Sequence, residues 1–240
     1  MTDPYLDPET GVLKNKVNAH TQTDLDNAES VLVRIRLFET PSTRLPKTSD
    51  AVELQAIHQH LFQDIYDWAG TYRKMDMSKG GDSFLSWQSI DSGLAYLTEE
   101  LKNDNWLQQM ERNKFVKRLA YHYGELNYVH PFREGNGRTQ RLFWSRIADR
   151  ANHFINWPTL NATEINQASH EARIGTHNQL ETMFEKAVTP KPDKLTNKAF
   201  LKDITTAADT QHWSKTKKPH KPKQQTKTPN PTTPNNHRRR

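Results

Sequence analysis

His130-Pro-Phe-Arg-Glu-Gly-Asn-Gly-Arg-Thr-Gln-Arg141 is the stretch of this chain that concentrates the most polar chemistry. Gly135 and Gly137 have no Cβ atom, so an anion can approach the backbone N–H groups around them closely. Helix-forming sequence follows at once and places a helix N-terminus at this loop. There, N–H groups without an intrahelical partner and the helix dipole both favour phosphate. The stretch therefore predicts an anion-binding loop that opens onto a helix.

The side chains of the same stretch suit a metal-assisted reaction at a phosphate. Arg138 and Arg141 are three residues apart, which places them on one helix face where both can reach the same anion. Glu134 can hold Mg²⁺, which takes one or two carboxylates and fills its remaining positions with water and phosphate oxygens. His130 stands just before the loop, where an imidazole can accept a hydroxyl proton. The chain has no Gly-x-x-x-x-Gly-Lys-Ser/Thr sequence, which excludes a P-loop.

Working outward, hydrophobic periodicity predicts a protein built mainly of helices. In the first helix, 24–38, we expect Leu25, Ala28, Leu32 and Ile35 to form the apolar stripe. Asp50 is the expected N-cap of a second helix that ends at a C-capping Gly70. Further helices are expected around residues 94–101, 115–126, 137–151, 163–173 and 177–188.

Two segments lack the helical period. Residues 1–20 are rich in turn-forming residues and are expected to wrap the surface as an arm. Residues 71–87 contain the pair Gly80-Gly81, which favours an extended hairpin or flap. The scattered histidines have no zinc-type spacing, and His122 is expected to pack or to form a local hydrogen bond.

Charge divides the chain into a mildly acidic body and a basic end. The formal net charge is +6, but residues 211–240 alone carry six Lys, three Arg and no acid. The other 210 residues therefore have a net charge of −3, the difference between +6 and +9. Few apolar residues occur after 211, which predicts a disordered tail. It is either a solubilising segment or a recognition segment for a secretion system, an acidic surface or nucleic acid.

The absence of certain sequence features limits the possible functions further. The chain has no cysteine, which excludes disulfides, thiolate catalysis and cysteine-based zinc sites. The N-terminus has no apolar signal region, and no apolar run approaches transmembrane length. From the sequence we expect a soluble, cytoplasmic protein with no membrane partner.

Residues 130–141 match in full the pattern His-x-Phe-x-Asp/Glu-Gly-Asn-Gly-Arg-x-x-Arg, and the chain resembles the Fic family of protein adenylyltransferases through it. Tyr66-x-Trp-Ala-Gly-x-x-Arg73 and the flap-like segment support the resemblance, which extends over about residues 5–190. It implies an all-α Fic-type helical bundle with a small β-hairpin flap over the active site. The implied organisation is an N-terminal arm (1–20), a Fic domain (21–190), a linker or short helix (191–210) and the disordered basic tail (211–240).

The resemblance also implies a role for each residue of the motif. His130 would be the catalytic base for a target Tyr, Thr or Ser hydroxyl, and Glu134 would carry Mg²⁺ between the α- and β-phosphates of ATP. The implied nucleotide-binding residues are Phe132, Gly135, Asn136, Gly137, Arg138 and Arg141. Of these, Phe132 would anchor the loop, Asn136 would hold the α-phosphate, and Arg138 and Arg141 would contact the β- and γ-phosphates. The implied target-binding residues of the flap are Lys74, Met75, Asp76, Met77 and Ser78.

Position 137 separates branches of the family. Kinase-like members have Lys there and bind the nucleotide in reverse, whereas Gly137 favours AMP transfer. Members that transfer phosphocholine or UMP share much of the motif, which leaves the nucleotide less determined than the fold.

The resemblance suggests how the activity is restrained. Many relatives carry an inhibitory helix with the pattern Ser/Thr-x-x-x-Glu-Gly/Asn. The nearest fit here, from Ser49 to Leu54 with its Glu at Glu53, fails at the last position. This favours the class that is restrained by a separate small antitoxin, whose Glu would dock at Arg141.

Relatives also suggest targets and alternatives. Toxins of this class modify the ATPase subunits of DNA gyrase and topoisomerase IV, which we expect as the target. Residues 8–16 resemble type IV secretion effectors that modify host proteins, which is the alternative. A non-enzymatic Fic scaffold would be expected to lack His130, Glu134 or Arg138, and all three are present. A protein that associates with DNA through its tail is the remaining alternative.

Overall fold

The structure, a computed structural model, describes residues 3–79 and 81–192 and is built mainly of helices. This confirms the all-α expectation. The helices of the described residues are α1 (Gln22–Glu39), α2 (Ala51–Phe62), α3 (Ile90–Asn103), α4 (Arg112–Val129), α5 (Asn136–Arg150), α6 (Ala162–Arg173) and α7 (Asn178–Ala187). From residue 193 onward, the predicted linker and the predicted tail lie outside the described residues.

Helices α4 and α5 hold the loop of the motif between them. The buried residues of α4 recur every three or four positions, as in Phe115, Leu119 and Leu126, and form one face against the core. The helix ends where His130 adopts the left-handed conformation, with φ 45° and ψ 61°. Helix α5 begins after Gly135, whose φ of 79° is the conformation that glycine adopts most readily. These two left-handed residues bracket the loop.

Helix α2 begins where the sequence predicted and ends earlier. The Asp50 side chain accepts hydrogen bonds from Val52 N and Glu53 N, which confirms it as the N-cap. The helix stops at Phe62 rather than continuing to Gly70. Turns fill residues 63–70, and Gly70 has a φ of 79°. The apolar and aromatic residues between Phe62 and Gly70 had suggested a longer helix, but they pack from these turns.

The expected apolar stripe of α1 was wrong in part. The buried residues of this helix are Leu25, Glu29, Val33 and Leu37, a strict i, i+4 series. Ile35 is exposed, because the helix turns the opposite face toward α2. The series contains an acid, Glu29, which is unexpected because a carboxylate is seldom buried among hydrophobic residues.

The described residues also contain two short antiparallel sheets of two strands each. Strands β1 (Ser78–Lys79) and β2 (Asp82–Ser83) form the predicted flap, which is shorter than the segment 71–87. Strand β3 (His153–Ile155) follows α5 and pairs with strand β4 (Val188–Pro190), which follows α7. This pairing was not predicted from the sequence. Within the described residues, no helix combines the length and the apolar character needed to cross a membrane.

Candidate active site

The motif loop is closed by its own side chains. The Asn136 side chain accepts a hydrogen bond from Phe132 N (2.9 Å) and donates one to Phe132 O (2.7 Å). Both polar groups of this amide are therefore engaged inside the loop. The predicted contact of Asn136 with an α-phosphate stays a prediction; in this structure the residue fixes the shape of the loop.

A cavity of about 460 Å³ adjoins the loop. Its walls come from the flap, from the last turn of α4 with His130, from the start of α5 and from α6. The lining residues are Lys79, Phe84, Tyr123, Asn127, His130, Gly137, Arg141, Thr163, Ile165, Asn166, Gln167, Ser169, His170 and Arg173. Several of these side chains are basic, which suits a polyanionic ligand.

His130 lies in this cavity wall against an aromatic ring of the flap segment. Its imidazole stacks on Phe84, with ring centroids 3.8 Å apart and an interplanar angle of 11°. Burial, together with the nearby charges of Arg73 and Lys79, lowers the pKa of His130 to about 3. The imidazole is therefore neutral at pH 7, which is the form that accepts a proton. The negative charges of a bound polyphosphate would oppose these effects and strengthen the base.

Arg73 ties the motif loop to the flap segment. Its guanidinium is buried, with 1% of the residue exposed. It donates hydrogen bonds to the carbonyls of His130 (2.9 Å), Met75 (2.6 Å) and Val129 (3.2 Å), and also to that of Leu85. One planar guanidinium thus donates to carbonyls at the end of α4 and on both sides of the hairpin. An ammonium group of Lys cannot reproduce this geometry.

His58 of α2 supports the loop from the opposite side. Its Nδ1 accepts a hydrogen bond from Gly70 N (2.8 Å), so the ring proton is on Nε2, which donates to Glu134 O (3.0 Å). The ring also stacks on Phe132, with centroids 3.8 Å apart. Burial lowers the pKa of His58 to about 3, so the ring is neutral at pH 7. Its two hydrogen bonds then fix the tautomer. Phe132 itself is 1% exposed and anchors the loop in the core.

The N-terminal arm reaches the same region. The Asp3 carboxylate forms an ion pair with Arg133 of the motif at 2.6 Å. The Tyr5 hydroxyl accepts a hydrogen bond from Lys74 N (3.0 Å), and its ring packs edge-on against Trp68. The arm therefore fastens the motif loop and the base of the flap together.

The two motif arginines of α5 face different surroundings. Arg141 is buried and lines the cavity. The Arg138 guanidinium lies over the ring of Phe62 (4.7 Å) and pairs with Glu29 of α1 at 2.5 Å. Sequence spacing placed both on one face, but in this structure their guanidiniums diverge. The predicted contact of Arg138 with a β-phosphate stays a prediction.

The metal-binding prediction concerns Glu134. Its carboxylate accepts a hydrogen bond from Gly135 N (2.8 Å) and lies 3.5 Å from the Arg138 guanidinium. Burial raises the pKa of Glu134, and the neighbouring carboxylate of Glu29 raises it further. One carboxylate beside a predicted phosphate-binding loop fits Mg²⁺, which completes its coordination with water and substrate oxygens. Glu134 would hold that ion.

The predicted flap residues divide into a stem and a tip. In the stem, the Met75 carbonyl accepts a hydrogen bond from Arg73. The Asp76 side chain accepts one from Trp87 N (2.9 Å), and the Met77 carbonyl accepts one from Phe84 N (3.0 Å). Lys74 bonds the arm, as described above. Ser78 and Lys79 form the exposed first strand, and Lys79 Nζ donates to Asn166 of α6 (3.1 Å). The structure thus places only Ser78 of the predicted set in a strand that is available for backbone pairing.

Glu53, the nearest fit to an inhibitory glutamate, is committed elsewhere. It is fully buried and pairs with Arg146 (2.5 Å) and Arg150 (3.0 Å), while Ser49 N donates to it (2.8 Å). This ion cluster holds α2 against α5. That this segment is not inhibitory stays a prediction.

Sequence reasoning did not assign site roles to Glu29, His58, Phe84 or the cavity-facing residues of α6. Arg73 was quoted only as part of a supporting pattern. For Glu29, the available signal was an acid spaced four residues from Leu25 and Val33 on a helix. For α6, no signal in the sequence linked it to the loop, because the contact is made in space.

Comparisons with known proteins agree with this geometry. Residues 48–148 match the model of the Fic/DOC family. Protein adenylyltransferase VbhT of Bartonella schoenbuchensis is 36% identical over 187 residues, which is 78% of this chain and 39% of that protein. The probable protein adenylyltransferase Fic of Escherichia coli is 33% identical over 187 residues, or 78% of this chain and 92% of that protein. The chain thus spans well under half of the first relative and nearly all of the second.

Solved structures show the same fold. The BepC protein of Bartonella tribocorum, a VirB-translocated effector with bound AMPPNP, aligns with a TM-score of 0.74 and 25% identity. The alignment covers 78% of this chain and 97% of that one. The Fic domain of a VirB-translocated effector from Bartonella quintana, with bound ADP, aligns at 0.73 and 26% identity, covering 78% and 95%. Together with the complete motif and the relative matched over nearly its whole length, these comparisons establish that the chain belongs to the Fic/DOC family.

Proposed function

We propose that the chain transfers AMP from ATP to a Tyr, Thr or Ser hydroxyl of a target protein. The enzyme class predicted from the motif, protein adenylyltransferase, is confirmed by the curated relatives of 32–36% identity. The observation that carries the proposal is the cavity beside the flap, whose lining combines His130, Gly137 and Arg141. A base and a phosphate cradle thus share one space of nucleotide size.

In the proposed reaction, the neutral imidazole of His130 accepts the proton of the target hydroxyl. The hydroxyl oxygen forms a bond to the α-phosphorus of ATP, and the bond from that phosphorus to the bridging oxygen of the β-phosphate breaks. AMP remains on the target and pyrophosphate leaves. Arg141 and the N–H groups at the start of α5 hold the phosphates, so that positioning and charge neutralisation supply most of the rate. The general base contributes about 10²- to 10⁴-fold.

The proposal also includes a Mg²⁺ site at Glu134 and a binding site for the target segment at the flap. Glu134 would hold Mg²⁺, which neutralises phosphate charge when it is bound. The target segment would add to the flap as an extended strand at Ser78, where main-chain pairing can present a hydroxyl to His130. The stem residues Lys74 to Met77 would support that strand from below through the contacts described above.

For the cellular role, we favour a toxin that acts on the ATPase subunit of DNA gyrase or topoisomerase IV. A small antitoxin would restrain it by placing a Glu on Arg141. The full motif, the absence of an inhibitory helix pattern and the commitment of Glu53 to Arg146 and Arg150 support this proposal. The second candidate is an effector that modifies a host protein. It is favoured by the likeness to VirB-translocated effectors and leaves a secretion role for the predicted tail.

One labelling experiment tests the activity and separates the two roles. The purified protein is incubated with α-labelled ATP and Mg²⁺ in bacterial or eukaryotic lysate, beside a His130→Ala control. A labelled bacterial band at the size of a gyrase or topoisomerase IV subunit, absent from the control, is the expected result. A band in eukaryotic lysate alone would favour the effector. Binding of ATP without any labelled protein in either lysate would contradict AMP transfer.

A further inference from the structure

Glu29 is a buried acid on the core-facing stripe of α1. Only 7% of the residue is exposed, and the hydrophobic neighbours Leu25 and Val33 on the same stripe are almost fully buried. A buried carboxylate costs several kcal/mol of desolvation unless charged and hydrogen-bonded partners compensate it. Its position in a hydrophobic series therefore calls for a reason beyond packing of the helix.

Two partners hold this carboxylate at the active site. The Tyr66 hydroxyl donates a hydrogen bond to Glu29 Oε1, and Arg138 Nη2 lies 2.5 Å from Oε2. Tyr66 is fixed in turn by stacking on Trp68, with ring centroids 4.2 Å apart. Glu29 thus lies in a rigid frame that presents one oxygen to a motif arginine.

Arg138 lies between two carboxylates. It is 2.5 Å from Glu29 and 3.5 Å from Oε1 of Glu134, and the ring of Phe62 supports its guanidinium at 4.7 Å. The closer pair is the one with Glu29. If that carboxylate were removed, Glu134 would be the carboxylate left beside this guanidinium among the described residues, four positions before it in the chain.

A close pair between Arg138 and Glu134 would oppose binding of a divalent cation. Oxygen lone pairs that accept from a guanidinium are not available to a metal ion. The positive charge of Arg138 would also lie within a few ångströms of the cation, where repulsion in a partly buried site is strong. The carboxylate of Glu29 opposes both effects, because it holds Arg138 Nη2 at 2.5 Å while the contact of that atom with Glu134 stays at 3.5 Å.

We propose that Glu29 is a positioning residue that holds Arg138 away from Glu134 and so keeps the Glu134 carboxylate available to a divalent cation. The proposal rests on the proposed role of Glu134 in holding Mg²⁺. It assigns to α1, a helix outside the motif, a part in cation binding. It also explains why an acid interrupts the hydrophobic stripe of that helix.

The test measures how much Mn²⁺ strengthens the binding of ADP. The affinity for ADP is measured by calorimetry with Mn²⁺ and again with EDTA, and the ratio of the two affinities is compared between variants. The wild type should show a ratio well above one, and Glu134→Gln should abolish it. Glu29→Gln should lower the ratio by about 10- to 100-fold, the usual effect of losing a residue that orients a metal ligand. Its affinity for ADP in EDTA should change little.

A double-mutant cycle identifies the cause. In an Arg138→Met background the competing guanidinium is absent, so adding Glu29→Gln should leave the ratio unchanged. Tyr66→Phe removes only the hydroxyl that anchors Glu29 and should lower the ratio by a smaller factor. This variant replaces Glu29→Gln in the test if Glu29→Gln does not fold. Glu39→Gln is the matched control, because this acid of the same helix pairs with Arg36 instead.

The outcomes separate the inference from the function on which it rests. A wild type without any Mn²⁺ effect would overturn both the metal role of Glu134 and the role of Glu29. A normal wild-type ratio that persists in Glu29→Gln would overturn the inference alone. A Glu29→Gln protein that binds ADP more tightly in EDTA and in Mn²⁺ alike would show that Glu29 restrains Arg138 from the nucleotide, which also overturns it.

Discussion

Replacing His58 by Phe tests whether this residue is the structural link between α2 and the motif loop. Phenylalanine keeps the aromatic stacking on Phe132, whose ring centroid lies 3.8 Å away. It removes the hydrogen bonds to Gly70 N (2.8 Å) and Glu134 O (3.0 Å) and leaves both backbone groups without a side-chain partner. Each unsatisfied buried group costs about 1–3 kcal/mol, so the free energy of unfolding should fall by about 2–6 kcal/mol.

Urea unfolding followed by tryptophan fluorescence measures this loss, and AMP transfer is measured on the same samples. With a total stability near the middle of the usual range of about 5–15 kcal/mol, the variant stays folded under mild conditions. Activity should fall with stability, because Glu134 and Phe132 belong to the loop that loses its support. The control is His20→Phe, which makes the same exchange at an exposed position. A His58→Phe protein with the urea midpoint and activity of the wild type would refute the reasoning.

Three further predictions follow from the packing of the site. Gly135→Ala should lower the free energy of unfolding by about 2–4 kcal/mol, because φ is 79° and the new Cβ would overlap the Phe62 ring; a thermal melt unchanged from the wild type would contradict this. Arg73→Lys should reduce both stability and AMP transfer, since an ammonium cannot reach four carbonyls at once, and full activity would exclude a positioning role. Acidification from pH 7.5 to 5.5 should lower the urea midpoint. Burial lowers the pKa values of His60 and His122, so below about pH 6.5 the unfolded chain binds protons that the folded chain does not. Equal midpoints at the two pH values would count against neutral buried histidines.

The sequence predicted the parts of the fold that depend on local chemistry. The Asp50 cap, the helix that leads into His130 and the turn at Gly135 follow from residue type and spacing, and all are present. His122, which we expected to pack or to form a local hydrogen bond, is buried, and its Nε2 lies 2.6 Å from Asp104, a residue 18 positions away.

The parts that could not be predicted depend on contacts between distant segments. Burial of Glu29 depends on Arg138, which is more than a hundred positions away in the chain. Arg138 and Arg141 have different surroundings, because the Arg138 guanidinium pairs with Glu29 while Arg141 lines the cavity. Helical spacing defines a shared face, but the direction of a long side chain is set by its partners in space.

The pairing of Asp3 with Arg133, beside the Tyr5 bond to Lys74, has a practical consequence for anyone who produces this protein. A purification tag fused directly before Asp3, or a truncation that removes the first five residues, would disturb the motif loop although neither change alters the motif. Activities measured with and without such a change should be compared before any loss is attributed to a substitution in the loop.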